Sequence, residues 1–99
     1  MLYSIISEDI ENSLSLRANA RPKHLARLEE LKNQGRLLVA GPNPTVDCDK
    51  SKTAGFSGSL VIAEFENLEA AENWAKKDPY IDAGVYLKTI VKPFKKVLP

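Results

Sequence analysis

The sequence predicts one small α+β domain, and three observations carry that expectation. The chain has 99 residues, enough for a single hydrophobic core and no second one. Short β-rich runs alternate with two stretches of helical periodicity. Gly, Pro and Asn punctuate the joins, and the resulting order is strand, helix, strand, strand, helix, strand.

Residues 2–7 (LYSIIS) are β-rich and stop at Glu8-Asp9, which predicts a first strand. From Asn12 to Gln34 the pattern is helical. A short piece around residues 13–18 precedes Arg21-Pro22, where Pro suits the first turn of a second, longer helix. Leu25, Leu28 and Leu31 follow at three-residue spacing, and Gly35 is placed to end the helix as its C′ residue. Residues 36–40 (RLLVA) predict a second strand, broken by Gly41-Pro42-Asn43-Pro44, after which a polar loop runs to Gly55. Residues 57–65 predict a third strand. Asn67 is a natural cap for a helix over residues 68–78, ended by Pro79. Residues 85–92 (VYLKTIVK) predict the last strand.

This order is the split βαβ plan of a ferredoxin-like βαββαβ sandwich, a four-stranded antiparallel sheet with both helices on one face. Strand three has Val61, Ala63 and Phe65 on one side and Leu60 and Ile62 on the other. Strand four sets Val85, Leu87 and Val91 against Tyr86 and Ile90. A sheet with one solvated face would have made one of these sets polar. The helix-free face is therefore expected to pair with a second copy of the chain as a homodimer.

Composition narrows the function. A hydrophobic fraction of 43% and a charged fraction of 27% belong to a folded chain rather than a disordered one. The 14 basic and 13 acidic residues are spread along the chain, so the basic stripe of a nucleic-acid binder is missing. Lys92, Lys95 and Lys96 read as a strand edge that Lys guards against pairing. The single cysteine, Cys48, excludes an internal disulfide and fits a reducing compartment. Between Asp47 and Asp49 it is expected to be an incidental loop residue. The start lacks the basic segment of a signal peptide, and no apolar run is long enough to span a bilayer. The expectation is a cytoplasmic protein with no nucleic-acid or membrane partner.

At about 100° per residue, His24 falls inside the apolar stripe of Leu28 and Leu31, and Asp78 falls inside the stripe of the second helix. Topology then brings the start of the first helix and the end of the second to the same rim of the sheet. Glu8-Asp9, the Gly41-Pro42 turn and the segment from Gly55 to Ser59 share that end. An imidazole and a carboxylate in reach of each other suit acid–base chemistry. A structural His–Asp hydrogen bond would satisfy the same pattern. Arg17 and Arg21, one turn apart, are spaced to clamp a substrate carboxylate, though a solvated helix face has the same spacing. Ser57 and Ser59 lie near the rim without an evident base, and Tyr3 and Trp74 read as packing residues. One His and one Cys far apart make no zinc spacing, and there is no P-loop or Rossmann glycine pattern, so neither metal nor cofactor is expected.

The stretches RPKHLARLEELKNQGRLLVAGPNP, GFSGSLVIAEFENLEAAENWAKKDPYIDAGVY and VKPFKKV closely resemble the YCII-related family over essentially the whole chain. That family is similar to the dimeric α+β barrel proteins, whose ferredoxin-like subunits pair through their sheets. The resemblance implies an active-site His–Asp pair at His24 and Asp78. It also implies recurrent positions at Arg17, Arg21, Gly41, Pro42 and Tyr80, and Ser59 is counted with them as a substrate contact. Relatives include a chloromuconolactone dehalogenase, and muconolactone isomerases share the fold. The expected function is a cofactor-independent enzyme of lyase or isomerase type acting on a small anionic molecule. In it His24 moves the proton, Asp78 orients it, and the 42–56 segment covers the pocket. The alternative is a non-catalytic binding or regulatory module that uses the same pocket.

Overall fold

A computed structural model describes residues 1–47 and 54–99. Cys48 and the middle of the 42–56 segment lie outside the described residues. The elements are β1 (Leu2–Asp9), α1 (Leu14–Asn33), β2 (Leu37–Pro44), β3 (Phe56–Glu64), α2 (Leu68–Lys76), α3 (Pro79–Asp82) and β4 (Tyr86–Phe94). The strands form one sheet in the order β2-β3-β1-β4, with every neighbouring pair antiparallel. The helices pack on one face, as the sandwich expectation requires.

The core follows from strand alternation meeting two apolar helix stripes. Tyr3 and Ile5 of β1 and Val61 and Ala63 of β3 point to the helices, where Leu28, Leu31, Ala71 and Ala75 cover them. Several local signals act as the sequence suggests. Gly35 takes φ +70°, and Arg36 N–H and Gly35 N–H donate to the Leu31 and Lys32 carbonyls, the double closure of a Schellman cap. The Asn67 side chain accepts from Ala70 N–H at 2.8 Å and opens α2.

Three expectations are corrected. First, α1 is one continuous helix across Pro22 rather than two pieces. The ring removes a single N–H, whose acceptor would be the Ala18 carbonyl, and both Pro22 and Ala18 are exposed. One buried stripe (Arg17, His24, Leu28, Leu31) runs along both halves of the helix and holds it together. Second, Gly41-Pro42-Asn43-Pro44 does not break β2 but completes it, Pro42 standing opposite Ser59 and Pro44 opposite Phe56. β2 is an edge strand, where a missing N–H on the open side interrupts no ladder. Third, α2 ends at Lys76, and Asp78 caps the following short helix α3 instead of closing α2. Pro79 cannot extend α2, yet its fixed φ suits the first position of a new helix. The carboxylate thereby leaves the unfavourable end of one helix for the favourable end of another.

On the helix-free face, Ile6 stands opposite both Leu60 and Ile90, and Val39 opposite Ile62. Ile6 is 41% exposed and Val39 49%, so this face carries uncovered apolar surface. A register shift between Glu8 and Asp9 changes the expected facing of β4: it places Tyr86 opposite Asp9, on the helix side, and leaves Leu87 exposed.

Candidate active site

His24 and Asp78 meet at the rim. α1 delivers the imidazole, and Asp78 is held in place because its Oδ1 also accepts the Tyr80 backbone N–H at 2.9 Å. His24 Nδ1 lies 2.8 Å from Asp78 Oδ1 and 3.1 Å from Oδ2, and both residues are buried. A carboxylate offers only acceptors, so Nδ1 carries the hydrogen and Nε2 keeps its lone pair. Tyr80 lies flat on the imidazole, with ring centroids 3.9 Å apart and planes within 7°. Its own edge is fixed by Tyr86, 5.5 Å away and nearly perpendicular. Two hydrogen bonds and one stacked ring thus leave the imidazole no freedom of orientation.

His24 borders a cavity of about 550 Å³ between α1 and the β2–β3 side of the sheet, and Asp78 does not. His24 is thus the member of the pair that a molecule in the cavity would meet. Gly41, Pro42 and Ala40 of β2 form the opposite wall, with Phe56 and Ser59 from β3. Tyr80 and Arg21 line the helix side, and Arg21 is exposed there with no ion pair among the described residues. Its charge reaches the Tyr80 phenol, whose ionisation burial pushes above the usual range while Arg17 and Arg21 pull it down. Of the 42–56 segment expected to cover the pocket, Pro42 and Phe56 line it.

Arg17 has a different setting. Nε and Nη2 donate to Asp9 at 2.6 and 2.9 Å, and Nη2 also reaches the Gly58 carbonyl at 2.9 Å and Ser59 Oγ at 2.8 Å. Ser13 Oγ donates at 2.6 Å to Asp9 Oδ2, the oxygen that Arg17 Nε also bonds, and makes no side-chain bond to its own helix. The Asp9 side chain is wholly covered and that of Arg17 nearly so. Burial alone would lower the Arg17 pKa, but the hydrogen bond and charge of Asp9 outweigh it and raise it. Phe56 and Tyr80 flank the guanidinium at 5.0 and 5.1 Å. Gly58 admits no side chain, because a Cβ would overlap the Ser7 carbonyl.

The structure thus brings His24, Tyr80, Arg17, Arg21, Gly41, Pro42 and Ser59 to the lining of one cavity, with Asp78 against His24 and Arg17 already engaged by Asp9. Ser57 instead donates to the Asn43 carbonyl, and Tyr3 packs in the core near Phe65. Sequence reasoning placed Asp9 at this rim without a role and left out Phe56 and Tyr86. The signal for Asp9 was its spacing to Ser13 and Arg17, four residues and then four more. Tyr86 carried none, since its facing depends on the bulge; burial holds its phenol protonated well above the usual range, against the pull of Ser59.

Comparison with known proteins fits this geometry. Residues 1–95 match the YCII-related domain. The chain is 59% identical over 97 residues to Protein YciI of Escherichia coli, covering 98% of this chain and 99% of that one. It is 57% identical over 97 residues to an uncharacterized protein of Haemophilus influenzae, with the same coverage. Among solved structures it superposes on 5-chloro-2-hydroxyhydroquinone dehydrochlorinase (TftG) of Burkholderia phenoliruptrix in complex with 2,5-dihydroxybenzoquinone. That match has a TM-score of 0.85 and 32% identity, and covers 96% of this chain and 94% of the other. A Pseudomonas aeruginosa protein at 7% identity and TM-score 0.52 shares the fold alone, over 98% and 93% of the two chains. By sequence along nearly its whole length, the chain belongs to the YCII-related family.

Proposed function

We propose that the chain is a cofactor-independent enzyme of lyase or isomerase type, acting on a small, flat, anionic organic molecule. The observation that carries this reading is the buried His24–Asp78 pair, of which His24 lines a cavity. Nε2 takes a proton from a carbon or hydroxyl conjugated with a carbonyl of the bound molecule. The released electron pair moves into the conjugated system and either expels a halide from a neighbouring carbon or is reprotonated at another carbon. Asp78 holds the ring and balances the imidazolium that forms. Such placed acid–base catalysis contributes typically about 10²–10⁴-fold. Arg21, exposed at the cavity rim, supplies positive charge for the anion. The dehydrochlorinase neighbour, bound to a dihydroxyquinone, supports the ring-shaped substrate class. Gly41, Pro42, Ser59 and Tyr80 would shape the pocket around the ring.

The working unit is proposed to be a cytoplasmic homodimer. The uncovered Ile6 and Val39, beside Leu60 and Ile90 on the helix-free face, support the pairing, and a single cysteine fits the reducing compartment. Ile6→Asp is expected to yield monomers in sedimentation.

The deciding experiment is chloride release from chlorinated hydroxyhydroquinones by wild type and by His24→Gln, alongside 2,5-dihydroxybenzoquinone binding. Turnover in the wild type that falls about 10²–10⁴-fold in the variant, with affinity kept, is the expected result. Tight binding by both proteins without turnover would favour the binding-module reading instead.

A further inference from the structure

Two hollows lie side by side at the start of α1. The first is the His24 cavity, whose lining includes the apolar side chains of Leu25, Leu28, Ala40 and Val61. The second, of about 670 Å³, is polar, with Glu11, Asn12, Ser15, Thr45 and Ser57 in its lining. Among the described residues, Leu14 and Phe56 are the two that line both. Leu14 opens α1 one turn before Arg17, and Phe56 opens β3 opposite Pro44 of the edge strand. Both side chains are half-buried.

Phe56 is held in this place. The Arg17 guanidinium stands over its ring at 5.0 Å, and that guanidinium is itself fixed by Asp9, Gly58 and Ser59. The same guanidinium lies 5.1 Å from the Tyr80 ring, which stacks on His24 at 3.9 Å. His24, Tyr80, Arg17 and Phe56 therefore form one chain of contacts, and the Phe56 ring is at most three such spacings from the imidazole. A ligand that reaches His24 meets Phe56 as its limit in that direction. Past the ring the lining turns polar, so an apolar cavity with few polar groups ends there.

We propose that Phe56, backed by Leu14, is the specificity-determining end wall of the His24 cavity: it admits a ligand of one ring and excludes one extended towards the start of α1. The proposal rests on the reading of this cavity as the ligand site and narrows the ligand class to compact single-ring anions.

The test is the affinity, by titration calorimetry, of benzoate and of a biphenyl carboxylate bearing a hydroxyl on its outer ring. The proteins are wild type, Phe56→Ala, Phe56→Trp and Leu14→Ala, with 2,5-dihydroxybenzoquinone as a reference ligand. Wild type should prefer benzoate by about tenfold or more. Phe56→Ala joins the hollows and should shift that ratio by about tenfold towards the two-ring acid, whose hydroxyl then meets polar side chains. Leu14→Ala should shift it in the same direction by less, and carries the readout alone where Phe56→Ala does not fold. Phe56→Trp keeps a flat ring over Arg17 and should keep the wild-type ratio. A wild type that binds both acids equally overturns the proposal, as does an unchanged ratio in the alanine variants. A parallel loss of both acids in Phe56→Ala also overturns it, since the ring would then serve only to hold Arg17. If wild type binds neither benzoate nor the quinone, the cavity is not the ligand site and the proposal falls with that reading. If it binds them and the ratio does not move, the end wall alone is excluded.

Discussion

The two side-chain pairs at the rim of the sheet, Asp9–Arg17 and His24–Asp78, are both buried, both join α1 to another element, and differ in what they leave over. The first is closed. Asp9 accepts from Arg17 and Ser13, and Arg17 goes on to Gly58 and Ser59, so that β1, α1 and β3 are tied together by one guanidinium. The second is open on one side. Asp78 uses both oxygens on His24 and caps α3 with one of them, while His24 itself lines the cavity. A closed pair holds a scaffold in one arrangement. An open pair, with a titratable ring held rigid in the lining of a hollow, has the form of a reacting group.

The largest effect that would break this contrast belongs to the closed pair. Arg17→Met leaves a fully covered Asp9 carboxylate without its cation, and is expected to cost about 3–5 kcal/mol in urea unfolding. His24→Gln leaves Asp78 with its backbone donor and a neutral side chain, and is expected to cost only ~1 kcal/mol in the same measurement. Equal losses would mean that both pairs are scaffold. Next comes Arg21→Ala, which removes an exposed charge at the cavity rim. Affinity for a small aromatic carboxylate such as benzoate should fall by about tenfold, with unfolding changed by no more than ~0.5 kcal/mol. Unchanged affinity would return the anion-holding role to Arg17.

The smallest effect concerns the aromatic wall between the two pairs. Burial raises the pKa of both Tyr80 and Tyr86 above its ordinary 10.0. Above about pH 10 the unfolded chain loses these protons while the folded one retains them, so stability falls as pH rises. Tyr86→Phe removes one such group, and its alkaline unfolding midpoint should shift to higher pH than in the wild type. Coincident midpoints would show that Tyr86 is not held neutral by the fold.

The contrast also marks how far the sequence could be read. His24 was legible because helical phase puts it in a buried stripe, and strand order brought Asp78 to the same rim, although it caps α3 rather than continuing α2. Gly35 and Asn67 were legible because cap chemistry is local. The closed pair was not. Asp9 finds Arg17 across a turn, and the further partners Gly58 and Ser59 come from a strand more than forty residues away. The facing of Tyr86 hangs on a bulge that reverses alternation, and the two prolines of β2 are tolerated only because the strand is at an edge. Pro22 misled for a related reason: it looked like a helix start, but one buried stripe spans both sides of it. Each of these depends on contacts made after the chain has folded.

The most direct test of the open pair is the tautomer of the His24 ring, read from its 15N NMR shifts in wild type and in Asp78→Ala, unambiguous because the chain has one histidine. Asp78 faces Nδ1 at 2.8 Å, so the neutral ring should carry its hydrogen on Nδ1 in the wild type and lose that preference in Asp78→Ala. The same tautomer balance in both proteins would contradict the account, because Asp78 would then not orient His24.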